Sequence, residues 1–405
     1  MLISNYTERF FGFKEEYVTQ QECNEERKEF IFSITLPQTP HQCPCCNNTT
    51  QRVKDYRTRI VRLGIQQDYR LIARYRQRRY YCPRCGKSFS EQNPFVGCYQ
   101  RLSIRCKEIL MQRFCDLLSY TQIAKDFGLS PTTVIRYFSA ITYRKIQQLP
   151  VTLSIDEFKG NAAGQRYQVS ITDPQNHSIL DILPARNTEA MLRYFATFTH
   201  AQRQQVKFFV MDMSSQFRYV VETMFPNANI VADRYHVTRL VTWAVEAVRK
   251  REQRKLAAAS RTLKQNKAVL LKQPHRLTEQ DSIKLSEIFR ISPDLKTAYK
   301  LKQYFYILYS QLGKENIQRA LILWLEEVKN SGLPEFNSLL KSMSQWNDYI
   351  VNAFLLPYSN GFIEGCNNKI KVLKRISFGL RNFERFRVRI LLLNAKRSYA
   401  ENNSA

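Results

Sequence analysis

Pro150 is followed by Val151-Thr152-Leu153-Ser154-Ile155-Asp156, a short apolar run that closes on an acid. A run of this length, opened by proline and rich in β-branched residues, reads as a buried strand rather than a helix. Further strand-like runs follow at residues 167–171, 179–183, 206–211 and 229–232, with helical stretches at 188–199 and 214–225 between the later ones. Three consecutive strands and then alternating helix and strand predict an α/β sheet with buried parallel strands. Asp156 ends the first run and Asp212 follows Val206-Lys207-Phe208-Phe209-Val210-Met211. A carboxylate is costly inside such a strand, whereas at the carboxyl end it points into the cleft an α/β sheet offers there.

Working outward, Asp233-Arg234-Tyr235-His236 follows the strand at 229–232. Asp233 is read either as a fourth metal-site carboxylate or as the group that orients His236. From His236 to about Phe354 the text is helical almost throughout, with basic stretches such as Arg249-Lys250-Arg251. Then comes Ser359-Asn360-Gly361-Phe362-Ile363-Glu364-Gly365-Cys366-Asn367-Asn368-Lys369-Ile370-Lys371-Val372-Leu373-Lys374-Arg375. As a helix it buries Ile363, Cys366, Ile370 and Leu373, and sets Glu364, Asn368, Lys371 and Arg375 along an adjacent polar face. One acid followed by amide and basic groups, Lys374 among them, suits a helix that puts a carboxylate on a metal and its next turns on phosphates. Asp156, Asp212 and Glu364 together supply hard oxygen ligands for Mg²⁺ or Mn²⁺, and two such ions can clamp the attacking and leaving oxygens of a phosphoryl transfer. A nucleotide-cradling loop is excluded: with 12 Gly, the chain has neither GxGxxG nor GxxxxGK[ST].

Toward the N-terminus, Tyr120-Thr121-Gln122-Ile123-Ala124-Lys125-Asp126-Phe127-Gly128-Leu129-Ser130-Pro131-Thr132-Thr133-Val134-Ile135-Arg136-Tyr137-Phe138 matches a helix-turn-helix, within a pattern that is helical from about Arg105 to Ile146. Gly128 is the left-handed turn residue, Leu129 plugs the core, and Ser130 caps a second helix with Pro131 at its first position. Val134, Ile135 and Phe138 face inward, leaving Thr132, Thr133, Arg136 and Tyr137 to meet a major groove. Further back, Cys43-x-x-Cys46 and Cys82-x-x-Cys85 can bring four thiolates onto one structural Zn²⁺, with Gly86 letting the backbone fold back. Cys45 and His41 are poorer ligands by position. Short strands between the pairs carry Arg57, Arg59, Arg62, Arg70, Arg74, Arg76, Arg78 and Arg79, a positive face for phosphates. The first forty residues carry little signal.

Composition agrees. The chain has 405 residues, 62 Lys+Arg and 35 Asp+Glu, so 62 − 35 = +27. Such an excess points to a polyanionic partner, nucleic acid before an anionic membrane. At 44% hydrophobic and 12% aromatic residues the chain is not largely disordered. No apolar run approaches a membrane span and no secretory signal opens the chain, so a soluble, cytoplasmic protein with reduced thiols is expected.

The cysteine pairs, the helix-turn-helix, Ser154-Ile155-Asp156-Glu157, Asp233-x-x-His236 and above all Asn360-Gly361-Phe362-Ile363-Glu364-Gly365-Cys366-Asn367-Asn368-Lys369-Ile370-Lys371 resemble bacterial insertion-sequence transposases of the ISL3 family, from about Cys43 to Arg397. The resemblance implies an RNase H-like catalytic domain whose DDE triad falls on Asp156, Asp212 and Glu364, supported by Asp233 and His236. Because Asp233 also ends a strand, the second position is open between it and Asp212, with Asp212 preferred. It also implies that the helical stretch from about Val237 is an insertion.

The expected organisation is multidomain α/β: an arm (1–42), a zinc ribbon (43–98), a helix-turn-helix domain (101–149), a first catalytic part (150–236), a mostly helical insertion (237–357) and a second catalytic part (358–399). The expected partner is double-stranded DNA at element ends and target, bound by a homodimer, with Thr132, Thr133, Arg136, Tyr137, Arg57, Arg59, Arg74, Arg76, Arg78, Arg79, Asn368, Lys371, Lys374 and Arg375 on the DNA. A DNA-binding regulator that no longer cuts, or a general nuclease, would be the alternatives.

Overall fold

The computed structural model describes residues 6–143, 145–256 and 259–401. Residues 1–5 of the expected arm, Arg144, residues 257–258 and the tail from 402 lie outside the described residues. The chain divides into two compact units, one running to Tyr143 and taking in Val372–Leu380 and the segment from Val388, the other formed by Arg144–Lys371 and Arg381–Arg387.

In the first unit, strands β1 (Val18–Asn24), β2 (Glu29–Ile34), β5 (Val53–Gln66), β6 (Tyr69–Tyr81) and β7 (Ser88–Ser90) form one sheet in the order β1-β2-β6-β5, with β7 also on β6. The short pair β3 (His41–Gln42) and β4 (Thr49–Thr50) stands apart from it. Two expectations change here. β2 pairs in parallel with β6, from Glu29 beside Arg70 to Ile34 beside Tyr75, so the expected arm and zinc ribbon share a sheet. The expected short strands are instead one long hairpin, β5 and β6, turning at Gln67 and Asp68, whose φ angles of 47° and 67° suit a tight two-residue loop. Phe13, Ile34, Val61, Tyr75 and Phe95 form the core beneath.

The expected helical run from Arg105 is broken into helices Ile104–Arg113, Tyr120–Asp126 and Pro131–Ser139. Gly128 has a φ of 59°; its N–H bonds the Lys125 carbonyl and the Leu129 N–H bonds that of Ala124, closing the first helix of the pair. Ser130 accepts from the Thr133 N–H at 3.2 Å and Pro131 opens the next helix. Val134 and Phe138 are buried with Leu110, Phe114 and Ile123, while Ile135 is only half-buried. Buried Arg389 donates to the carbonyls of Phe114, Asp116 and Leu118, satisfying the loop that precedes the helix pair.

In the second unit, β8 (Thr152–Phe158), β9 (Gln168–Asp173), β10 (Ser178–Leu183), β11 (Phe208–Met211) and β12 (Asn229–Ala232) lie in the order β10-β9-β8-β11-β12. The sheet is mixed, and the expected parallel strands make up only part of it. β8, β9 and β10 are antiparallel, because a connection such as 174–177 is far too short for a crossover. β8, β11 and β12 are parallel, and the helix Ser215–Met224 supplies the crossover between the last two. Leu153, Ile155, Phe209 and Val231 meet Phe195, Phe217 and Val221 in a core that continues without a break through Val241, Val245, Phe305, Trp324 and Ile350. The helical stretch after His236 thus shares the sheet's core. Its last helix, Asn347–Leu355, lies on β12: the Asn352 amide donates to the Ile230 carbonyl at 2.9 Å, and Arg234 donates to the carbonyls of Ala353 and Leu356.

Replacing Gly128 with alanine forces an L-residue into the left-handed region and sets a Cβ 3.4 Å from Ile65 Cδ1. It should cost about 1–2 kcal/mol, read as a lowered urea midpoint with unchanged slope.

Candidate active site and cysteine cluster

Strand register decides the site. Thr152, Phe208 and Asn229 pair across the three parallel strands, and Asp156, Asp212 and Asp233 each follow four residues later. With strands about 4.8 Å apart, the three acids stand in a row at the carboxyl edge of the sheet. Across from them runs the helix Gly361–Ile376. Asp156, Asp212, Asp233, His236, Asn360, Glu364, Asn367 and Lys371 all line one cleft of about 470 Å³.

The helix is pinned over β8 at two points. Ser154 donates to the Asn360 side-chain oxygen, just before the helix begins. One turn past Glu364, the Asn367 amide donates to Asp156 Oδ2 at 2.9 Å. Ile363, Cys366, Ile370 and Leu373 are buried, as the periodicity requires, and Glu364 is exposed.

Each acid has a distinct environment. Asp156 Oδ1 accepts the Glu157 N–H at 2.8 Å. Burial pushes the Asp156 carboxyl up to about 7, against the pull of that N–H and of His236, while Asp212 and Asp233 add to the rise. Asp212 is also raised by burial, although His236, Arg186 and the Ser214 N–H draw it down. Its Oδ1 is buried with no hydrogen-bond partner among the described residues. Asp233 has both oxygens in use: Oδ1 caps the helix Arg234–Lys255 through the Tyr235 N–H at 3.3 Å, and Oδ2 meets His236 Nδ1 at 2.8 Å. Burial lowers the His236 pKa, but the Asp233 hydrogen bond and carboxylate charge, with Asp212 behind them, together outweigh it and the net shift is upward. Glu157 pairs with Arg186 at 2.5 Å beside this row.

Desolvated carboxylates, one with an orphaned oxygen, fit a hard divalent cation, which would replace the lost hydration. The set is wider than a one-ion cage. Among the described residues, only Cys43, Cys46, Cys82 and Cys85 form a group of three or more His, Cys, Asp or Glu whose ligand atoms all lie within 4.8 Å of one another.

That cysteine group could hold zinc. Cys43 Sγ lies 3.5 Å from Cys85 Sγ, and Cys46 Sγ 3.6 Å from Cys82 Sγ. Sulfurs around a tetrahedral zinc with 2.3 Å bonds stand about 3.8 Å apart. Both knuckles close alike: the N–H of Asn47 bonds the Cys43 carbonyl, and that of Gly86 the Cys82 carbonyl. Asn47 and Gly86 both have positive φ, so Asn47 is the counterpart that spacing alone did not single out. The Cys85 N–H draws Cys82 down to about 6. Cys85 itself goes up to about 12: the Lys87 N–H favours its thiolate, but burial and the three neighbouring sulfurs outweigh that. Cys45 is exposed and outside the group, and His41 turns its Nδ1 to the Thr39 carbonyl at 2.9 Å.

The expected DNA-contacting residues fare unevenly. Thr132 and Arg136 are exposed, whereas Thr133 is half-buried with its hydroxyl 2.9 Å from that of Ser130, and Tyr137 is half-buried against the helix core. Asn368, Lys371 and Arg375 are exposed and Lys374 is half-buried, but of these only Lys371 lines the cleft. Arg57 and Arg76 are exposed, Arg76 over the Tyr56 ring at 4.0 Å. Arg74 pairs with Glu22 and Arg79 with Asp55. Arg78 is a correction: it is 7% exposed, because its guanidinium is taken up by Glu91 and the Leu36 carbonyl. Arg59 is half-buried on backbone carbonyls. Sequence reading missed Asn360 and Asn367 as site residues. An amide three residues past Glu364 shares its face as well as one four past it, which was the available signal. Arg186 gave none.

Residues 153–390 match a family model described as transposase, of the DDE, ISL3 type. The chain is 26% identical over 356 residues to the transposase for insertion sequence element IS1001 of Bordetella parapertussis, covering 86% of this chain and 87% of that protein. It is 27% identical over 241 residues to the transposase for insertion sequence element IS1557 of Mycobacterium tuberculosis, 54% of each chain. A shorter match, 35% over 117 residues, joins 29% of this chain to 35% of a Lactococcus lactis protein described as an ATP-dependent protease.

Loading the cysteine group must displace protons from its thiols, Cys85 above all, so zinc affinity should fall as pH is lowered. Competition with a chromophoric chelator across pH 6–8 should show it, with one zinc per chain in the wild type and none in Cys82→Ser.

Proposed function

The chain belongs to the ISL3-type family of transposases, and on that footing we propose that it binds the terminal inverted repeats of an insertion sequence, cuts DNA there and transfers the freed strand. The observation that carries this reading is the meeting of Asp156 and Asp212, in register on adjacent parallel strands, with Glu364 in one cleft. In it, the helix-turn-helix at 120–138 places Thr132 and Arg136 on the repeats, the zinc-stapled sheet adds phosphate contacts, and residues 150–236 with 358–399 form an RNase H-like catalytic domain. Residues 237–357 are its helical insertion.

Asp156, Asp212 and Glu364 would hold two Mg²⁺ or Mn²⁺, which supply charge neutralisation and Lewis acidity at a phosphodiester when bound. The remaining chemistry belongs to the chain. Asn367 orients the Asp156 carboxylate, and the Ser154–Asn360 contact holds the Glu364 helix in place. Lys371, exposed on the cleft wall, is placed to meet a phosphate. Asp233 is taken as the partner of His236 and Asp212 as the second metal-site acid, because Asp233 is engaged by an imidazole and a helix N-terminus while Asp212 Oδ1 has no hydrogen-bond partner among the described residues. In the first step water attacks phosphorus and the P–O3′ bond breaks, leaving a 3′-hydroxyl and a 5′-phosphate. In the second that hydroxyl attacks a target phosphodiester, one P–O bond forming as another breaks. Bringing two ends together calls for two copies of the chain.

Asp156→Ala and Asp212→Asn should both reduce Mg²⁺-dependent nicking of end duplexes to background while end binding survives; a variant that still cuts would remove that residue from the site. Asp233→Asn should lower the rate less and leave Mg²⁺ binding in place. End binding by wild type should weaken roughly 10³–10⁵-fold between 50 and 200 mM salt if about 6–10 phosphates are engaged. Because Asp156 is held up to about 7 without metal, Mg²⁺ must displace its proton near neutrality. Affinity should therefore rise with pH through that value, with proton release visible as a buffer-dependent binding heat.

A further inference from the structure

Beside the helix Pro131–Ser139 the first unit has a second large concavity, about 940 Å³, walled on the other side by the loop carrying Tyr99. Arg62, Arg101, Lys107 and Arg136 line it, with no carboxylate among its described lining residues. The loop is built in an unusual way. Residues 97–100 make a tight turn in which the Gln100 N–H bonds the Gly97 carbonyl at 3.1 Å. Tyr99 holds the position that turns of this kind give to glycine or asparagine, with a φ of 57°. Its side chain is 97% exposed.

A bulky aromatic in the left-handed region is strained, and persists only where its surroundings over-determine it. Here the cause is Arg59. From β5 its guanidinium donates to both ends of the turn, to the Gly97 carbonyl at 3.1 Å and to the Gln100 carbonyl at 2.6 Å. The arginine expected on a phosphate is instead the clamp that holds Tyr99 out from the surface. Nothing in the fold gains from this, since the ring buries almost nothing.

We propose that Tyr99 is a stacking finger for DNA. Its ring packs on a sugar or on a base unstacked from the duplex bound along this groove, while Arg101, Lys107 and Arg136 face the phosphates. The inference rests on the DNA-binding reading above and adds a contact to it. Cations without a facing acid favour a polyanion over a protein surface, and an aromatic ring supplies the sequence-tolerant contact that phosphates cannot.

The test uses the full chain, wild type and the variants Tyr99→Gly, Tyr99→Phe and Arg59→Gln, titrated against a terminal-repeat duplex by fluorescence anisotropy at several salt concentrations. Tyr99→Gly should lose roughly 5- to 150-fold in affinity, the range of one aromatic–base stack. Its melting temperature should hold or rise, because glycine relieves the strained φ, and its salt slope should not change. Tyr99→Phe should bind like wild type. Arg59→Gln should bind more weakly at an unchanged slope, whereas a phosphate contact would lower the slope by about one. Tyr99→Gly binding as tightly as wild type would overturn the finger alone, as would an affinity loss that merely follows a fallen melting temperature. If Tyr99→Gly instead changes the sedimentation of free protein and not DNA affinity, Tyr99 is a contact between copies and the proposal fails. Wild type that binds no duplex at all would defeat the DNA-binding reading, and the finger with it.

Discussion

Three acids standing side by side at the end of a desolvated sheet are the constraint to which the second unit answers. Parallel strands β8, β11 and β12 put Asp156, Asp212 and Asp233 at one level because their pairing is in register. Like charges so close, with little water, resist ionisation together, and burial raises both Asp156 and Asp212. The surroundings answer each differently. Asp233 is satisfied by a helix N-terminus and an imidazole, Asp156 by a backbone N–H and the Asn367 amide, and Asp212 keeps one oxygen unanswered. Among the described residues the three acids thus differ in how far their oxygens are satisfied, Asp212 least.

The same logic explains the long path between the second strand pair and Glu364. The helical stretch packs its apolar faces into the sheet's own core and returns along β12, where Asn352 and Arg234 tie it down. From there the chain is a few residues from Asn360, and Ser154 fixes where the next helix starts. The helix that carries Glu364 is thus fixed to the central strand by hydrogen bonds on either side of that residue.

Much of this is legible in the residues themselves. The apolar run before Asp212 marks a strand end, although β8 continues two residues past Asp156 along β9; the buried stripe of the Glu364 helix follows from its periodicity, and the cysteine spacing predicts which four sulfurs meet. What fails does so for physical reasons. Strand direction is set by connection length, so β9 and β10 have to be antiparallel although their composition looks like that of parallel strands. Residues 29–34 pair with β6 and carry β1 beside them, a long-range partnership that local pattern does not reveal. Arginine counts mark a basic chain but not which guanidinium is spent on a carbonyl or a glutamate, as Arg59 and Arg78 are. That Asp233 is engaged at both oxygens and Asp212 is not also depends on hydrogen bonds that no spacing encodes.

The cleft joins residues as far apart as Asp156 and Lys371. On the ribosome the strand bearing the first acid emerges long before the helix that faces it. At about 5–20 residues per second, some ten to forty seconds of synthesis separate the two. A nascent chain in that interval exposes its sheet edge without the opposing wall, and a message broken before Asn360 yields a polypeptide in which the pocket never closes.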